Sequence, residues 1–188
     1  MMKYELWYSV VVRDRQGKVI SRERRRARSF LKQWNQLVYC LVKYEVTGLS
    51  ITDTGGTPRS VTIAVTDLQM AAAAGVTDYG VRVGTGNTAV AIDDHALETP
   101  IAEGTGGGQM EHLICTVATS VVAAPSCSFL VSRTITNNSG AEITVREAAI
   151  YMRMKTWFGC GTRDVFGSPQ AVPNGGSITV NWTLQVTV

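Results

Sequence analysis

Apolar and polar residues alternate with a period of two over most of the chain, which is the pattern of half-buried β-strands. In residues 3–12 five apolar side chains share one face; they are Tyr4, Leu6, Tyr8, Val10 and Val12. Turn-forming residues follow at 14–17, and residues 18–20 return to an extended pattern. The sequence therefore predicts an opening hairpin within residues 1–28.

The clearest alternation lies at the C-terminus. Its apolar positions are Ile178, Val180, Trp182, Leu184, Val186 and Val188. Ser, Thr, Asn and Gln occupy the positions between them. A strand of this kind has one face on a core and the other either in water or covered by a partner.

Further strands are predicted between these two ends, with Gly, Pro, Asn and Ser at the breaks. They cover residues 60–68, 78–83, 111–122, 126–136, 142–154 and 162–166. Together with the opening hairpin and the last strand, they make eight or nine short strands.

Only residues 29–45 predict a substantial helix. Ser29 is a suitable N-cap, and apolar side chains recur after it every three to four residues. They are Phe30, Leu31, Trp34, Leu37, Val38, Leu41 and Val42. The stripe indicates a helix that lies across a sheet or closes one end of a sandwich.

Many strands with one helix exclude a doubly wound α/β sheet, because that fold alternates strands with helices. We expect a mainly β protein: an antiparallel β-sandwich or barrel of jelly-roll or immunoglobulin-like type, with one amphipathic helix near the N-terminus. The 188 residues suit one domain over 1–188, with the remaining strands in 58–188.

The stretch Gly84-Thr85-Gly86-Asn87-Thr88-Ala89 has the form G-x-G-x-x-A. A dinucleotide fingerprint needs a helix directly after the glycines, because the pyrophosphate binds at the N-terminus of that helix. Here residues 90–100 contain a β-branched pair, two aspartates and Pro100, which leave room for one short turn at most. We therefore predict a turn, with Gly84 and Gly86 in conformations closed to residues that carry a Cβ.

His95 and His112 are the only histidines, and five acidic residues lie near them in the sequence. A metal site with mixed nitrogen and oxygen ligands would draw on these groups, and a metal-assisted hydrolase is one hypothesis for the chain. Chance proximity is the interpretation we favour. There is no G-x-S-x-G motif for a serine nucleophile, and nothing in the sequence distinguishes one of the four cysteines as a nucleophile.

Cys40, Cys115, Cys127 and Cys160 stand far apart without a C-x-x-C pair, so we expect buried thiols rather than a disulfide framework. The N-terminus shows neither a basic segment nor an apolar one, and no apolar run approaches about 18 residues. We expect synthesis in a host cytoplasm, with no signal peptide and no membrane span.

Basic residues are concentrated in one run, SRERRRARS, which contains Arg22, Arg24, Arg25, Arg26 and Arg28. Such a run suits a contact with phosphate, a solvated strand edge that discourages wrong pairing, or ion pairs between subunits. The net charge of only +3 does not favour a nucleic-acid partner. A site inside a particle that packages nucleic acid would be the exception.

The order of motifs resembles that of β-sandwich virion proteins of tailed bacteriophages. The resemblance covers residues 5–188 and rests on RDRQGKVISR, SFLKQWNQL, VRVGTGNTAVAIDDHALETPI, SFLVSRTITNNSGAEITVREAAIYM, TRDVF and VPNGGSITVNWTLQV. It implies a structural subunit that acts by repeated association, either as a capsid decoration or cement protein or as a tail or neck component. It implies no catalytic, cofactor-binding or metal-binding residue, and it implies location in the virion.

The partners implied are other virion proteins, namely the major capsid protein or tail proteins, and further copies of the chain in a homo-oligomer. The expected contact residues are Arg22, Arg24, Arg25, Arg26, Arg28, Trp7, Trp182, Gly106 and Gly107. Gly106 and Gly107 belong to a glycine-rich segment, 103–109, that we expect to be a flexible loop.

Two alternatives stay open beside this hypothesis. In a host-surface or glycan-binding module of a phage fibre, aromatic side chains on exposed loops would contact the ligand, and Tyr79, Trp157 and Phe158 are the candidates. In the metal-assisted hydrolase, His95 or His112 would act with the nearby acids.

Overall fold

A computed structural model describes residues 3–27, 30–44 and 46–188 of the chain. Within these residues the elements are β1 (Lys3–Arg13), β2 (Val19–Arg26), α1 (Lys32–Lys43), β3 (Leu49–Thr52), β4 (Pro58–Val61), β5 (Gly80–Gly84), β6 (Glu111–Val117), β7 (Val121–Ala123), β8 (Ser126–Thr136), β9 (Ile143–Met154), β10 (Trp157–Val172) and β11 (Ser177–Thr187).

The larger sheet contains six strands in the order β2-β1-β11-β8-β6, with β7 also paired to β8. All of its pairings are antiparallel. The first and last strands lie side by side along their whole length, from Lys3 opposite Thr187 to Arg13 opposite Ser177. The predicted opening hairpin is confirmed as the antiparallel pair β1–β2.

The smaller sheet has three antiparallel strands in the order β10-β9-β5, and β3 and β4 form a separate two-stranded ribbon. Alternate side chains of the two larger sheets meet in one apolar core, because successive strand residues point to opposite faces. Leu6, Tyr8 and Trp182 enter it from the larger sheet, and Ile150 and Met152 enter it from the smaller one. The predicted antiparallel β-sandwich with one helix is confirmed.

The smaller sheet is covered on its outer face as well. The segment between β5 and residue 101 folds back over β9, where Leu97 packs against Leu31, Ala149, Tyr151 and Cys160. The hydroxyl of Tyr151 accepts a hydrogen bond from the backbone N–H of Leu97 at 2.8 Å. Because both faces are covered, β9 is buried at most of its positions.

The helix is shorter than predicted and begins at Lys32 instead of residue 29. The predicted N-cap, Ser29, lies outside the described residues. Leu31 occupies the N-cap position, and its backbone N–H donates to the carbonyl of Gly161 at 2.9 Å. Trp34, Leu37 and Cys40 form the buried stripe. The prediction that Val42 belongs to this stripe is wrong, since its side chain is exposed on the last turn.

Several strand boundaries also differ from the pattern. The strand predicted over 60–68 ends at Val61, where the chain leaves the ribbon, and β3 at Leu49–Thr52 was not predicted. The strand predicted over 162–166 is part of β10, which extends across Gly159, Gly161 and Gly167. Glycines mark strand breaks in a sequence pattern, but here they permit close packing.

The cysteine expectation holds for three of four residues. The side chains of Cys40, Cys115 and Cys160 are buried, whereas that of Cys127 is exposed. Burial raises the pKa of the Cys160 thiol well above its usual value. The prediction for Cys127 is wrong because the smaller sheet does not cover the end of β8 where it lies.

Candidate functional site

Strand β2 is an edge of the larger sheet, and its arginines point in two directions. Arg22, Arg24 and Arg26 lie opposite Val11, Ser9 and Trp7 of β1, on the outer face of the sheet. We call these three residues the arginine row. Arg28 of the same run lies outside the described residues.

Arg25 lies on the other face of β2, against the smaller sheet. Its Nε is 2.9 Å from Oε1 of Glu23, and its guanidinium lies so close to Gly167 that any side chain there would overlap it. Glu23 also accepts hydrogen bonds from the Tyr8 hydroxyl at 2.9 Å and from the Gly167 N–H at 2.8 Å. Arg25 therefore joins the two sheets within one chain instead of extending the arginine row.

Two residues of the arginine row, Arg24 and Arg26, make weak contacts with β1. The guanidinium carbon of Arg24 lies 5.0 Å from the ring centroid of Trp7, in a cation–π arrangement. Arg26 is 3.5 Å from the carboxylate of Glu5, and its own side chain is largely exposed. Trp7, an expected contact residue, is thus on the outer face beneath Arg24.

Most of the outer face of the larger sheet carries no charge. Its two central strands, β11 and β8, contribute side chains in register with one another. These outward residues are Ser177, Thr179, Asn181, Thr183, Gln185, Thr187, Ser126, Ser128, Leu130, Ser132, Thr134 and Thr136. We call this surface the hydroxyl face, because Ser and Thr predominate in it.

The side chains of the hydroxyl face bond to one another across the strands. Ser132 donates to Oδ1 of Asn181 at 2.6 Å, and the hydroxyls of Thr134 and Thr179 are 2.8 Å apart. Asn181 in turn donates to the Ser9 hydroxyl at 3.3 Å. Cross-strand bonding of this kind holds short side chains flat against the sheet. The result is an even surface whose polar groups are largely paired.

An apolar surface lies where the larger sheet extends past the smaller one. The core ends in this direction at Leu6 and Leu184, which are buried. The next inward-facing row has no covering sheet; it contains Tyr4 (62% exposed), Val186, Cys127 and Val122 (79% exposed), with Val188 (78% exposed) beside it. We call these five residues the apolar shelf. Part of it lines a groove of about 280 Å³.

A second apolar feature lies on β6. The register to β8 shifts between His112 and Cys115, which adds one residue to β6. His112 and Cys115 face inward, and the extra residue leaves both Leu113 and Ile114 exposed between them.

Trp182 does not belong to any of these surfaces. Its side chain is 0% exposed, and its ring centroid lies 5.7 Å from that of Tyr8 in the core. The prediction that Trp182 contacts a partner is therefore wrong, because the alternation of β11 turns it inward. The hydroxyl residues between the apolar ones are those that reach the surface.

Gly106 and Gly107 are exposed in the loop before β6. Gly106 donates its N–H to the side chain of Gln109 at 3.0 Å and accepts from the Gln109 backbone N–H at 2.9 Å. Nothing lies within 4 Å of the position that a Cβ of Gly107 would take. The tip of this loop is thus closed by its own hydrogen bonds and open to the outside.

The G-x-G segment holds a carboxylate that belongs to the chain itself. Oε1 of Glu147, on the outer face of β9, accepts from the N–H of Gly86 at 3.2 Å and from the N–H of Thr99 at 2.9 Å. A Cβ on Gly84 or Gly86 would lie within 2.6 Å of Glu147. Both glycines are needed for this close approach and not for their backbone conformation, because neither has a positive φ. The expectation of a conformation closed to Cβ-bearing residues is therefore wrong for them.

Arg163 of β10 neutralises part of this buried charge. Its Nε donates to Glu147 at 2.8 Å, its Nη1 donates to Asp94 at 2.7 Å, and its Nη2 lies 3.9 Å from Glu98. Burial alone would lower the pKa of Arg163, but the hydrogen bonds to Glu147 and Asp94 raise it above its usual value. Nη2 also donates to the carbonyl and the hydroxyl of Thr88, so the guanidinium is fully used by groups of the same chain.

A cavity of about 460 Å³ opens beside Arg163 and is lined by Thr88, Asp94, His95 and Glu98 among others. The N–H groups of Asn87 and Thr88 donate to Glu98 at 2.6 and 2.7 Å. These bonds lower the pKa of Glu98, and those from Thr88 have the largest effect. The backbone donors that would hold a phosphate in a nucleotide site are here occupied by carboxylates, so the segment is a structural turn.

His112 lies in a different environment from His95. It is buried, and its Nδ1 is 2.8 Å from Oε2 of Glu103 and 3.1 Å from the carbonyl of Met110. Both neighbours accept, so Nδ1 carries the proton, while Nε2 is buried without a hydrogen-bond partner. Burial, and after it the charge of Arg82, lowers the pKa of His112 to about 4.

The structure does not bring the two histidines into one site. His95 is exposed in the cavity beside Arg163 and lies against Gly56, whereas His112 is paired with Glu103 under the sheet. In the part of the chain that the structure describes, no three His, Cys, Asp or Glu side chains are placed to hold a metal ion.

Two of the three aromatic candidates for ligand binding contact each other. Tyr79 and Phe158 stack with their planes 2° apart and their centroids 6.0 Å apart. Arg59 lies over Trp157 with its guanidinium carbon 3.7 Å from the ring centroid. Arg59 thereby covers that face of Trp157, and the stacking of Tyr79 on Phe158 covers one face of each of those two rings.

The fold and these surfaces define a two-sheet antiparallel sandwich with a basic edge strand, an uncharged outer face and an uncovered apolar end. No family model, no curated protein and no solved structure matches the chain. None of the described helices is long and apolar enough to cross a bilayer.

Glu147, Arg163 and the hydroxyl face were not singled out from the sequence as sites. A glutamate next to Ala148 and Ala149 in a buried strand, and an arginine inside a second such strand, are the sequence signals that would have indicated a buried ion pair.

Proposed function

We propose that this protein is a structural subunit of a tailed-bacteriophage virion that acts by repeated association of copies. Its place in the particle would be that of a capsid decoration or cement protein, or of a tail or neck component. The motif resemblance supports membership of a virion, and the surfaces of the sandwich support action by association of copies.

The observation that carries the proposal is the hydroxyl face. Soluble monomers commonly place charges on about a quarter to a third of their surface positions, which keeps sheet faces and edges apart. The outward positions of β11 and β8, which form six cross-strand pairs, include no charged residue. A flat, uncharged surface is suited to burial against another protein, because no ionic group has to be desolvated.

The apolar shelf supports the same proposal. Tyr4, Val122 and Val188 point toward the interior side of the sheet, yet all three stay largely exposed, although the ring of Phe30 meets the ring of Tyr4 edge-on at 6.0 Å. Apolar side chains grouped at one end of a sandwich mark a contact with another protein when they are contiguous. The pairing of Val186 with both Tyr4 and Cys127 makes the shelf contiguous across three strands.

The contacts of the G-x-G region support a structural role for this segment instead of a catalytic one. Its donors and its arginine are used by Glu147, Asp94 and Glu98, all from the same chain. These contacts fix the outer layer on the smaller sheet, so that the larger sheet is the one left with an uncovered surface.

The proposal is tested by multi-angle light scattering on the purified chain over a wide range of concentration, with negative-stain microscopy of the same samples. We expect a fixed multimer, a ring or a tube, with a mass that is a multiple of 20.3 kDa. A mass of one chain at every concentration would contradict it.

A further inference from the structure

We propose that the arginine row, Arg22, Arg24 and Arg26, binds the phosphate backbone of a single-stranded nucleic acid. This inference does not depend on the proposed association of copies, because the row lies on the edge strand beside the hydroxyl face. It depends on the position, availability and surroundings of the three guanidinium groups.

The row has the geometry of a linear anion-binding strip. The three residues alternate along an extended edge strand, opposite Val11, Ser9 and Trp7, and so share its outer face. From Arg22 to Arg26 the strand rises about 13 Å. A nucleic-acid strand that rises about 3.4 Å per nucleotide presents about four phosphates over that length. The guanidinium fork is suited to each of them.

The guanidinium groups of the row are available for a ligand. Among residues 3–27, 30–44 and 46–188, no carboxylate lies within ion-pair distance of Arg22 or Arg24. Arg26 has only its 3.5 Å contact with Glu5. By contrast, Arg25 and Arg163 have carboxylate partners at 2.9 Å or less, so they cannot serve a ligand without breaking a bond inside the fold.

Trp7 favours single-stranded nucleic acid over other polyanions. The Arg24 guanidinium is held over the indole ring at 5.0 Å, in a region where the ring itself is only partly buried. An unpaired base can stack on an arginine plane or on an aromatic ring, and a base within a duplex cannot. The Ser9 hydroxyl and the Asn181 amide lie next to the row and add neutral hydrogen-bonding groups.

The distribution of charge favours the binding of a polyanion at the β1–β2 hairpin. Residues 13–26 contain seven basic and two acidic residues, whereas the whole chain contains 18 and 15. The rest of the chain is therefore net acidic, with Asp93, Asp94 and Glu98 clustered on the smaller sheet. Electrostatic attraction is local even though the net charge is small.

Fluorescence anisotropy with a labelled, mixed-sequence single-stranded DNA tests the inference over a series of salt concentrations. We expect wild-type binding that weakens linearly on a log–log plot as salt rises. In the double variant Arg22→Gln/Arg24→Gln the slope should fall by about 1.4, since each phosphate contact on a single strand contributes about 0.7. Affinity at low salt should fall about tenfold.

The control is Arg146→Gln/Lys155→Gln, which removes the same charge from two exposed positions, one on β9 and one in the turn between β9 and β10. It should keep the wild-type slope, and both variants should keep the wild-type melting temperature. Absence of salt-dependent binding in the wild type would overturn the inference, as would an equal loss in both variants. Equally effective competition by poly-glutamate would also overturn it, because it would assign the row to acidic protein surfaces.

Discussion

The backbone N–H of Gly86 donates to the carboxylate of Glu147 across 3.2 Å, which ties the G-x-G turn to the middle of a buried strand. A motif that elsewhere approaches a phosphate thus encloses an anion from its own chain. Because the enclosed carboxylate is part of the chain, the turn stays bound to it. The turn thereby fixes the segment between β5 and residue 101 on the smaller sheet. The following predictions test this arrangement and the surfaces described above.

Gly86→Ala should destabilise the fold. Its Cβ would lie 2.5 Å from Oε1 of Glu147 and 2.5 Å from Cβ of Glu98, so the turn would have to move away from the carboxylate. We expect a loss of about 1 to 3 kcal/mol in the free energy of unfolding, measured by urea denaturation. Gly107→Ala is the matched control, because no atom lies within 4 Å of its Cβ position, and its stability should be unchanged or slightly higher. Equal stability of the two variants would contradict the close approach.

Glu147→Gln should be more damaging than Glu98→Gln. Glu147 is completely buried and bonds to Nε of Arg163 at 2.8 Å, so its loss leaves a buried guanidinium with less compensation. We expect a loss of about 2 to 3 kcal/mol, since Arg163 keeps its bond to Asp94. Glu98 is exposed, and its variant should lose less. Thermal and urea unfolding of both variants would measure the difference, and the reverse order would contradict the central place of Glu147.

Much of the sandwich could be predicted from the sequence because strands that face a core on one side alternate strictly. The strand predicted over 126–136 coincides with β8, and the last strand ends within one residue of the prediction. Strand β10 could not be delimited in this way. It is buried on both faces and contains three glycines and Pro169, which a pattern of alternation treats as breaks.

The candidate surfaces were less predictable, because a strand pattern shows which residues alternate but not what covers each face. Trp182 and Trp7 both lie on apolar-rich strands, yet only Trp7 reaches the outer face. The exposure of Cys127 depends on how far the smaller sheet extends, which no local pattern contains. The ion pair between Glu147 and Arg163 joins residues 16 positions apart on neighbouring strands, and only their register brings them together.

Acid should weaken the fold through His112. Its pKa is about 4 in the folded chain and about 6.5 when unfolded, so between these values the unfolded chain binds more protons. Stability is therefore full above pH 6.5 and falls as the pH drops toward 4, by on the order of 3 kcal/mol. Protonation would place a proton on the unpartnered Nε2 near Arg82 and Arg133, with only Glu103 to compensate.

His112→Asn keeps a donor to Glu103 but does not titrate in this range. Its free energy of unfolding should change less than that of the wild type between pH 6.5 and 4, whatever its absolute stability. Urea denaturation at several pH values would measure both curves. Parallel curves would contradict the lowered pKa of His112 in the folded chain.

The most direct test of the proposed function is to place charge in the centre of the hydroxyl face. In Thr179→Lys/Thr183→Lys, two outward positions of β11 gain cations that association would have to bury. Gln16→Lys/Thr156→Lys adds the same charge at exposed turns and is the control. Light scattering at matched concentrations should show the wild type and the control as multimers and the first variant as a folded single chain. A wild type that remains monomeric, or a face variant that associates as the wild type does, would contradict the proposal that the hydroxyl face joins copies of this protein.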